Sequence, residues 1–290
     1  MPHTITLTLS CPQRPGIVHA VSSFLFSHNF DIAEHQQFDD TRSQAFFQRT
    51  TFVCTTHSPE GGSADVIATL TDEFASVAAE FGMTFRFVDT PRKPRVVVMV
   101  SKMGHCLNDL IFRWRAGTLG GELVAVVSNH EVLRPMAEAA GLPFVHIPVT
   151  PDTKPEAERA LLALVDELEA DLVVLARYMQ VLSDETCQKL RGRAINIHHS
   201  FLPGFKGAKP YHQAFDRGVK LVGATAHYVT PDLDEGPIIE QEVIRIDHSF
   251  DPARLATVGQ DAEALALSRA VRWHCENRVL LHGHRTVVFS

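Results

Sequence analysis

The chain has 290 residues, of which 45% are hydrophobic and 21% charged, a balance typical of a globular protein with one large domain or two ordinary ones. Its formal net charge of -7 disfavours nucleic-acid binding, which would need a basic patch to neutralise phosphates. Scattered cysteines, an N-terminus unlike a signal peptide and the shortness of every apolar run predict a cytoplasmic protein.

The first 89 residues have the pattern of a small α/β module. Four predicted strands alternate with two amphipathic helices in the order βαββαβ. The strands are predicted at residues 4–9, 30–38, 44–54 and 83–88, and the helices begin near Ile17 and Val66. This order predicts a ferredoxin-like fold.

The turn between the first strand and the first helix reads Arg-Pro-Gly-Ile-Val, residues 14–18. Together with the βαββαβ order, this turn resembles an ACT domain. The resemblance implies a regulatory module that binds a small amino-acid effector and pairs between subunits, giving a homo-oligomer, either a dimer or a tetramer. Gln13 stands where that family often has Asp, so a module that serves oligomerisation alone is the alternative.

Residues 90–94 predict a linker, because two prolines and two basic residues so close together neither pair into a sheet nor continue a helix. After it, strands alternate with helices, which predicts a Rossmann-like, mostly parallel α/β sheet for residues 95–290. Strands are predicted at 95–100, 123–127, 144–147, 172–175 and 194–198, and helices at 106–116, 135–140, 155–168 and 253–276. Residues 219–229 and 238–246 predict a hairpin that adds an antiparallel edge.

Two polar residues on one predicted strand suit acyl chemistry. Asn196 and His198 are two apart, so their side chains share a face at the carboxyl end of the strand, where open α/β sheets bind ligands. An asparagine amide can donate a hydrogen bond to the oxyanion that forms when a carbonyl is attacked. An imidazole can move protons between nucleophile and leaving group near neutral pH.

The predicted hairpin turn carries three carboxylates, Asp232, Asp234 and Glu235. A carboxylate beside His198 would orient the imidazole and could hold a water molecule. A solvated surface turn is the alternative interpretation of this stretch when it is taken alone.

Together these stretches resemble the folate-dependent formyltransferase fold, in which Asn-x-His is followed downstream by Asp-x-Gly-Pro. The matching residues are Asn196, His198, Ser200, Leu202, Pro203, His227, Val229, Asp234, Gly236 and Pro237. The resemblance implies that Asn196, His198 and Asp234 are catalytic. It also implies that two loops border the pteridine of a folate, through Met179, Gln180, Val181, Leu182, Val229, Thr230 and Asp232.

The loop at residues 101–107 departs from the glycinamide ribonucleotide formyltransferases, whose Gly-rich turn binds the substrate phosphate at a helix N-terminus. Here it reads Ser-Lys-Met-Gly-His-Cys-Leu, and Met103, His105 and Cys106 add bulk. This loop, the ACT-like module and the motif Gly-Ala-Lys-Pro-Tyr-His-Gln-Ala at 207–214 resemble the formyltetrahydrofolate deformylases. That resemblance implies hydrolysis of 10-formyltetrahydrofolate to tetrahydrofolate and formate, without a cofactor; formyl transfer to an amine is the alternative.

Two other classes of function were considered. Sixteen histidines suggest a metal hydrolase, for which His198, His199, His212, His227, His282 and His284 could be recruited. The sequence has no His-Glu-x-x-His motif or similar ligand set, and we expect no metal. A non-enzymatic amino-acid sensor is disfavoured because it would not need Asn196, His198 and Asp234 together.

Overall fold

The computed structural model describes residues 4–54, 63–204 and 210–290, and its contacts divide the chain into two units. The first comprises Met1–Arg92, Glu276–Leu280 and Val287–Ser290, and the second comprises Lys93–Cys275 and Leu281–Thr286. The chain passes from one unit to the other within residues 90–94, the predicted linker. Short segments near the C-terminus group with the first unit, whereas the sequence analysis assigned all of residues 95–290 to the second.

The first unit has the predicted βαββαβ order. Its elements are β1 (Thr4–Pro12), α1 (Ile17–Ser27), β2 (Phe30–Asp40), β3 (Ala45–Cys54), α2 (Ser63–Phe81) and β4 (Thr84–Asp89). The four strands form an antiparallel sheet in the order β2-β3-β1-β4. Alternate residues of β1, including Ile5, Leu7 and Leu9, are fully buried in the hydrophobic core with Phe24 and Phe74 of the two helices.

The second unit alternates strands and helices. Its elements are β5 (Arg95–Val100), α3 (His105–Arg115), β6 (Glu122–Ser128), α4 (Arg134–Ala139), β7 (Phe144–His146), α5 (Lys154–Glu167), β8 (Leu172–Leu175), α6 (Asp184–Lys189), β9 (Ala194–His198), α7 (Pro210–Asp216), β10 (Leu221–Tyr228), β11 (Ile238–Arg245) and α8 (Pro252–Cys275). A two-stranded sheet of β12 (Val279–His282) and β13 (Arg285–Val288) follows. The sequence analysis had no counterpart for α6, α7, β12 or β13.

Seven strands of this unit form one sheet in the order β11-β10-β9-β8-β5-β6-β7. The five strands from β9 to β7 are parallel, and β10 is antiparallel to both β9 and β11. The predicted fold class, a mostly parallel sheet with an antiparallel hairpin at its edge, is confirmed. Because the carboxyl ends of β5, β8 and β9 meet at one edge, the loops that follow these strands lie next to one another.

Helix α8 packs against β10, β11 and α3. Ala262, Ala266 and Ala270 recur every four residues and are almost fully buried, so small side chains form the packed face of the helix. Glu263 lies beside this stripe and is only 1% exposed. Among the helices of the described residues, none combines the length and apolar character of a membrane span.

Candidate active site

The carboxyl end of β9 presents two polar side chains on one face of the sheet. Asn196 and His198 point the same way, while Ile195 and Ile197 are buried on the opposite face. The antiparallel pairing with β10 sets His227 directly opposite Asn196. The strand pair therefore brings one amide and two imidazoles together.

The turn between β10 and β11 brings Asp234 to this group. Asp234 has a φ of 57°, a left-handed conformation that costs a non-glycine residue on the order of 1 kcal/mol. A Cβ atom at Gly236 would overlap the carbonyl oxygen of Tyr228 and lie 3.1 Å from His227 Nδ1. Glycine at this position therefore permits the close approach that carries the carboxylate to the imidazoles.

The carboxylate of Asp234 orients the ring of His198. His198 Nδ1 lies 3.2 Å from Asp234 Oδ1, and a carboxylate accepts hydrogen bonds, so Nδ1 carries the donated proton. Nε2 of His198 is buried and has no hydrogen-bond partner. Burial would raise the pKa of Asp234, but the bond from His198 and the nearby ring of His227 hold that pKa well below its usual range. Asp234 is therefore a stable anion beside an imidazole with one unoccupied nitrogen.

The second imidazole, His227, has a different role. Its Nδ1 lies 2.9 Å from the carbonyl oxygen of Tyr228, which can only accept, so Nδ1 is protonated. Its Nε2 lies 3.3 Å from the amide nitrogen of Asn196 and 3.8 Å from Asp234 Oδ1. His227 thereby orients the Asn196 amide and leaves its second N–H available to a ligand.

A cavity of about 370 Å³ opens beside these side chains. Every residue predicted to be catalytic or to bind folate lines it: Asn196, His198, Asp234, Met179, Gln180, Val181, Leu182, Val229, Thr230 and Asp232. Met179 and Val181 are more than half exposed, so their apolar side chains remain open to contact with a ligand. The structure brings the predicted residues to one place, and their individual roles stay predictions.

The same cavity has lining residues that were predicted neither to be catalytic nor to bind folate. They include Arg177, Tyr178, Cys187, His199, His227, Pro231 and Leu233. Arg177 lies just before the predicted folate loop at residues 179–182, and no role was predicted for it. Its side chain is nine-tenths buried, and burial of a charged residue is not visible in local sequence.

The loop 101–107 joins a buried polar network centred on Glu263. Glu263 Oε2 accepts from His105 Nε2 at 2.8 Å, and Oε1 accepts from Tyr211 Oη at 2.7 Å. Arg177 Nε lies 3.4 Å from Oε2. Burial would raise the pKa of Glu263, but His105, Arg177 and Tyr211 together lower it. A buried carboxylate thus lies at the N-terminal end of α3 and holds His105, the first residue of that helix.

Part of the motif 207–214 forms α7, which supplies Tyr211 to this network. Its residues 207–209, including Lys209, lie outside the described residues. Within the described parts of the chain, the group with metal-ligand spacing is His105, Cys106 and Glu263, and it includes none of the histidines considered for a metal site. Both oxygens of Glu263 accept hydrogen bonds, and the cationic Arg177 is adjacent, so this group does not suit a cation.

Comparison with known proteins identifies relatives over the whole chain. The family model described as "Formyl transferase" matches residues 94–271. A formyltetrahydrofolate deformylase from Corynebacterium sp. (strain P-1) is 54% identical, over 97% of this chain and 96% of that protein.

Solved structures agree with these matches. A formyltetrahydrofolate deformylase from Burkholderia mallei is 52% identical with a TM-score of 0.91, over 100% of both chains. The glycinamide ribonucleotide transformylase 1 of Symbiobacterium toebii is 29% identical with a TM-score of 0.64. It covers 68% of this chain and 95% of its own. The likeness to the transformylase is therefore partial, whereas the likeness to the deformylase extends over the full chain.

Proposed function

The chain belongs to the formyltetrahydrofolate deformylase family, and on that premise we propose that it hydrolyses 10-formyltetrahydrofolate through Asn196, His198 and Asp234. The observation that carries this assignment is the state of His198. Its Nδ1 is held by the Asp234 carboxylate, whereas its Nε2 has no hydrogen-bond partner. His198 itself lines the cavity. An oriented imidazole with one unoccupied nitrogen is what a general acid and base requires.

The reaction proceeds by water attack on the formyl carbon. A C–O bond forms, His198 Nε2 accepts a proton from the water, and the carbonyl oxygen becomes an oxyanion that accepts a hydrogen bond from the Asn196 amide. The bond between the formyl carbon and N10 then breaks, and the imidazolium returns its proton to N10. Tetrahydrofolate and formic acid result, and the acid loses its proton to solvent. Asp234 stabilises the imidazolium throughout and helps to position the water.

The folate is placed by the two loops that line the cavity. Backbone groups and apolar side chains of Met179, Gln180, Val181 and Leu182 face the pteridine from one side, and Val229, Thr230 and Asp232 face it from the other. The exposure of Met179 and Val181 supports this assignment, since a flat aromatic ligand would cover apolar surface that is otherwise open to water.

Formyl transfer to a phosphorylated amine is the alternative, and the Glu263 network disfavours it. The acceptor's phosphate would need several convergent donors near the first turn of α3. His105 Nε2 is instead bonded to Glu263 and is not free to donate to a phosphate. Lys102 is exposed in the same loop and is one cation that could still attract a phosphate.

Incubation with 10-formyltetrahydrofolate in the absence of any amine acceptor tests the proposal. We expect stoichiometric release of formate and tetrahydrofolate, followed by absorbance and by formate detection. Tetrahydrofolate production that depends entirely on an added amine would overturn it.

We further propose that the chain forms a cytoplasmic homo-oligomer, a dimer or a tetramer, and that the first unit binds a small amino-acid effector. The open cleft lined by Gln13, Arg14, Gly16, Gln37 and Asp39 supports an effector, because it places charged and amide groups around the turn before α1. Sedimentation of the full chain with and without single amino acids tests both parts. A monomer that is indifferent to every amino acid would contradict them.

A further inference from the structure

Arg177 is a buried cation with unused donors. The residue is 8% exposed, and its Nη2 contacts the Met103 sulfur at 3.6 Å. Nε and Nη1 are buried without a hydrogen-bond partner, although Nε is within ion-pair distance of Glu263. Buried guanidinium groups normally have acceptors for most of their five N–H groups, so this pattern indicates a missing ligand.

The backbone around Arg177 is held in place from both sides. Ala176 donates its N–H to the carbonyl of Met99 at 2.8 Å, and Met179 donates its N–H to Ser101 Oγ at 2.9 Å. Arg177 itself has a φ of 63°, a conformation that arginine adopts at a cost. Since β5 and the loop after it fix the flanking residues, the guanidinium is presented in a preorganised position.

The surroundings of Arg177 suit an anion. Glu263 compensates the charge of the guanidinium and accepts from His105 and Tyr211, but no hydrogen bond joins it to Nη1 of Arg177. Burial, and then the charge of Arg177, lowers the pKa of His199 to about 4, so this neighbour is neutral near pH 7. A small anion can therefore enter without displacing an existing hydrogen bond.

We propose that Arg177 forms a carboxylate subsite beside His198 and that this subsite takes the formate released by the hydrolysis. This inference therefore rests on the proposed function. Arg177, Asn196 and His198 line the same cavity, and formate is the anion produced there. A planar guanidinium pairs with a planar carboxylate through two parallel hydrogen bonds. The glutamate tail of the folate is the other source of a carboxylate. The burial of Arg177 disfavours it, because the Arg177 side chain is nine-tenths buried whereas Met179, on the same loop, is 58% exposed.

Product inhibition by sodium formate tests the subsite in the full-length enzyme. We expect Arg177→Lys to raise the formate inhibition constant at least about 10-fold, since lysine keeps the charge but loses the two parallel hydrogen bonds of the guanidinium. Arg159→Lys, which changes an arginine whose side chain is 68% exposed, serves as the control. An unchanged formate constant in Arg177→Lys would overturn the subsite.

The two carboxylate sources are separated by measuring binding of tetrahydrofolate and of tetrahydropteroate, which lacks the glutamate tail. If Arg177→Lys weakens only tetrahydrofolate binding and leaves formate inhibition intact, Arg177 recognises the tail and the proposal is wrong. Weakened formate inhibition with equal effects on the two pterins supports formate.

Direct binding keeps the proposal testable should Arg177→Lys fail to fold. We expect saturable broadening of the ¹³C-formate resonance by the wild type and by His198→Ala, which retains Arg177 but lacks turnover. Absence of broadening with both proteins contradicts the subsite without bearing on hydrolysis. Conversely, a wild type that binds formate but releases none from the folate contradicts the proposed function alone.

Discussion

Two histidine–carboxylate pairs of the second unit, His198–Asp234 and His105–Glu263, differ in what the remaining polar atoms of each pair contact. In the pair His198–Asp234 the second imidazole nitrogen has no partner and the residue lines a cavity. In the pair His105–Glu263 the carboxylate also accepts from Tyr211 and lies beside Arg177. The same two groups therefore make a reactive site when the second imidazole nitrogen is left open beside a cavity, and a structural contact when the carboxylate is shared with further donors.

We expect variants of the two pairs to differ most in enzyme turnover. We predict that His198→Ala and Asp234→Asn each lower kcat by roughly 10²–10⁴, the range for lost acid–base participation. Folate binding is largely retained, because the lining loops are unchanged. His105→Gln keeps at least about a tenth of the wild-type kcat. Initial rates of formate release measure all three, and near wild-type turnover in either of the first two variants would refute the catalytic assignment.

We call His198–Asp234 the open pair and His105–Glu263 the closed pair. For the closed pair we expect the effect to be on stability. Glu263→Gln leaves the guanidinium of Arg177 buried without a compensating charge, and we expect it to lower the free energy of unfolding by about 3 kcal/mol. Glu185→Gln is the control, since Glu185 pairs with Lys189 at the surface and its loss is expected to leave stability nearly unchanged. Urea unfolding of both variants measures the difference. Equal stabilities would mean that the Glu263 network does not stabilise the fold.

Gly236 tests how the open pair is assembled. Gly236→Ala forces the new methyl group against the carbonyl of Tyr228, so we expect a loss of about 1–3 kcal/mol in stability together with reduced turnover as Asp234 is displaced. Gly117→Ala introduces backbone strain at a φ of 72°, but nothing lies within 4 Å of its Cβ position. It is expected to lose stability without losing turnover, and comparable kcat losses in the two variants would contradict the steric argument.

The smallest expected effect concerns His199, whose ring lies 5.2 Å from that of His198 and 6.2 Å from that of Tyr211. Its folded-state pKa of about 4 is below the ordinary 6.5, so its contribution to stability is complete above pH 6.5 and is lost as the pH falls toward 4. We expect His199→Asn to reduce this acid destabilisation by about 1–2 kcal/mol. Unfolding curves between pH 7 and 4 would show it, and parallel pH dependences for variant and wild type would exclude the effect.

The open pair was predictable from sequence and the closed pair was not. Asn196 and His198 alternate with isoleucines on a strand, and Asp234 follows in a Gly-Pro turn, so local periodicity and a motif locate them. Glu263 is one of two acidic residues in α8, the other being Asp261, and its burial depends on which face of the helix packs against α3 and the sheet. Arg177 presents the same difficulty, because tertiary packing alone decides that its side chain is buried.

The fold shows the same division between local and long-range information. The continuous apolar run at β5 and the alternation of strands and helices predicted the parallel sheet, as the structure confirms. Helix α6 was missed because it has only six residues, although Ser183 caps it by accepting from the backbone N–H of Thr186. The grouping of residues 276–280 and 287–290 with the first unit has no local signal in sequence.

We infer that the open pair acts on water because the closed pair occupies the place where a transferase would bind its amine acceptor. A competition assay with labelled 10-formyltetrahydrofolate and glycinamide ribonucleotide tests it most directly. We predict that the label appears in formate at an unchanged rate when the ribonucleotide is added. Label in formylated ribonucleotide at a rate that rivals formate release would contradict the account and establish a transferase.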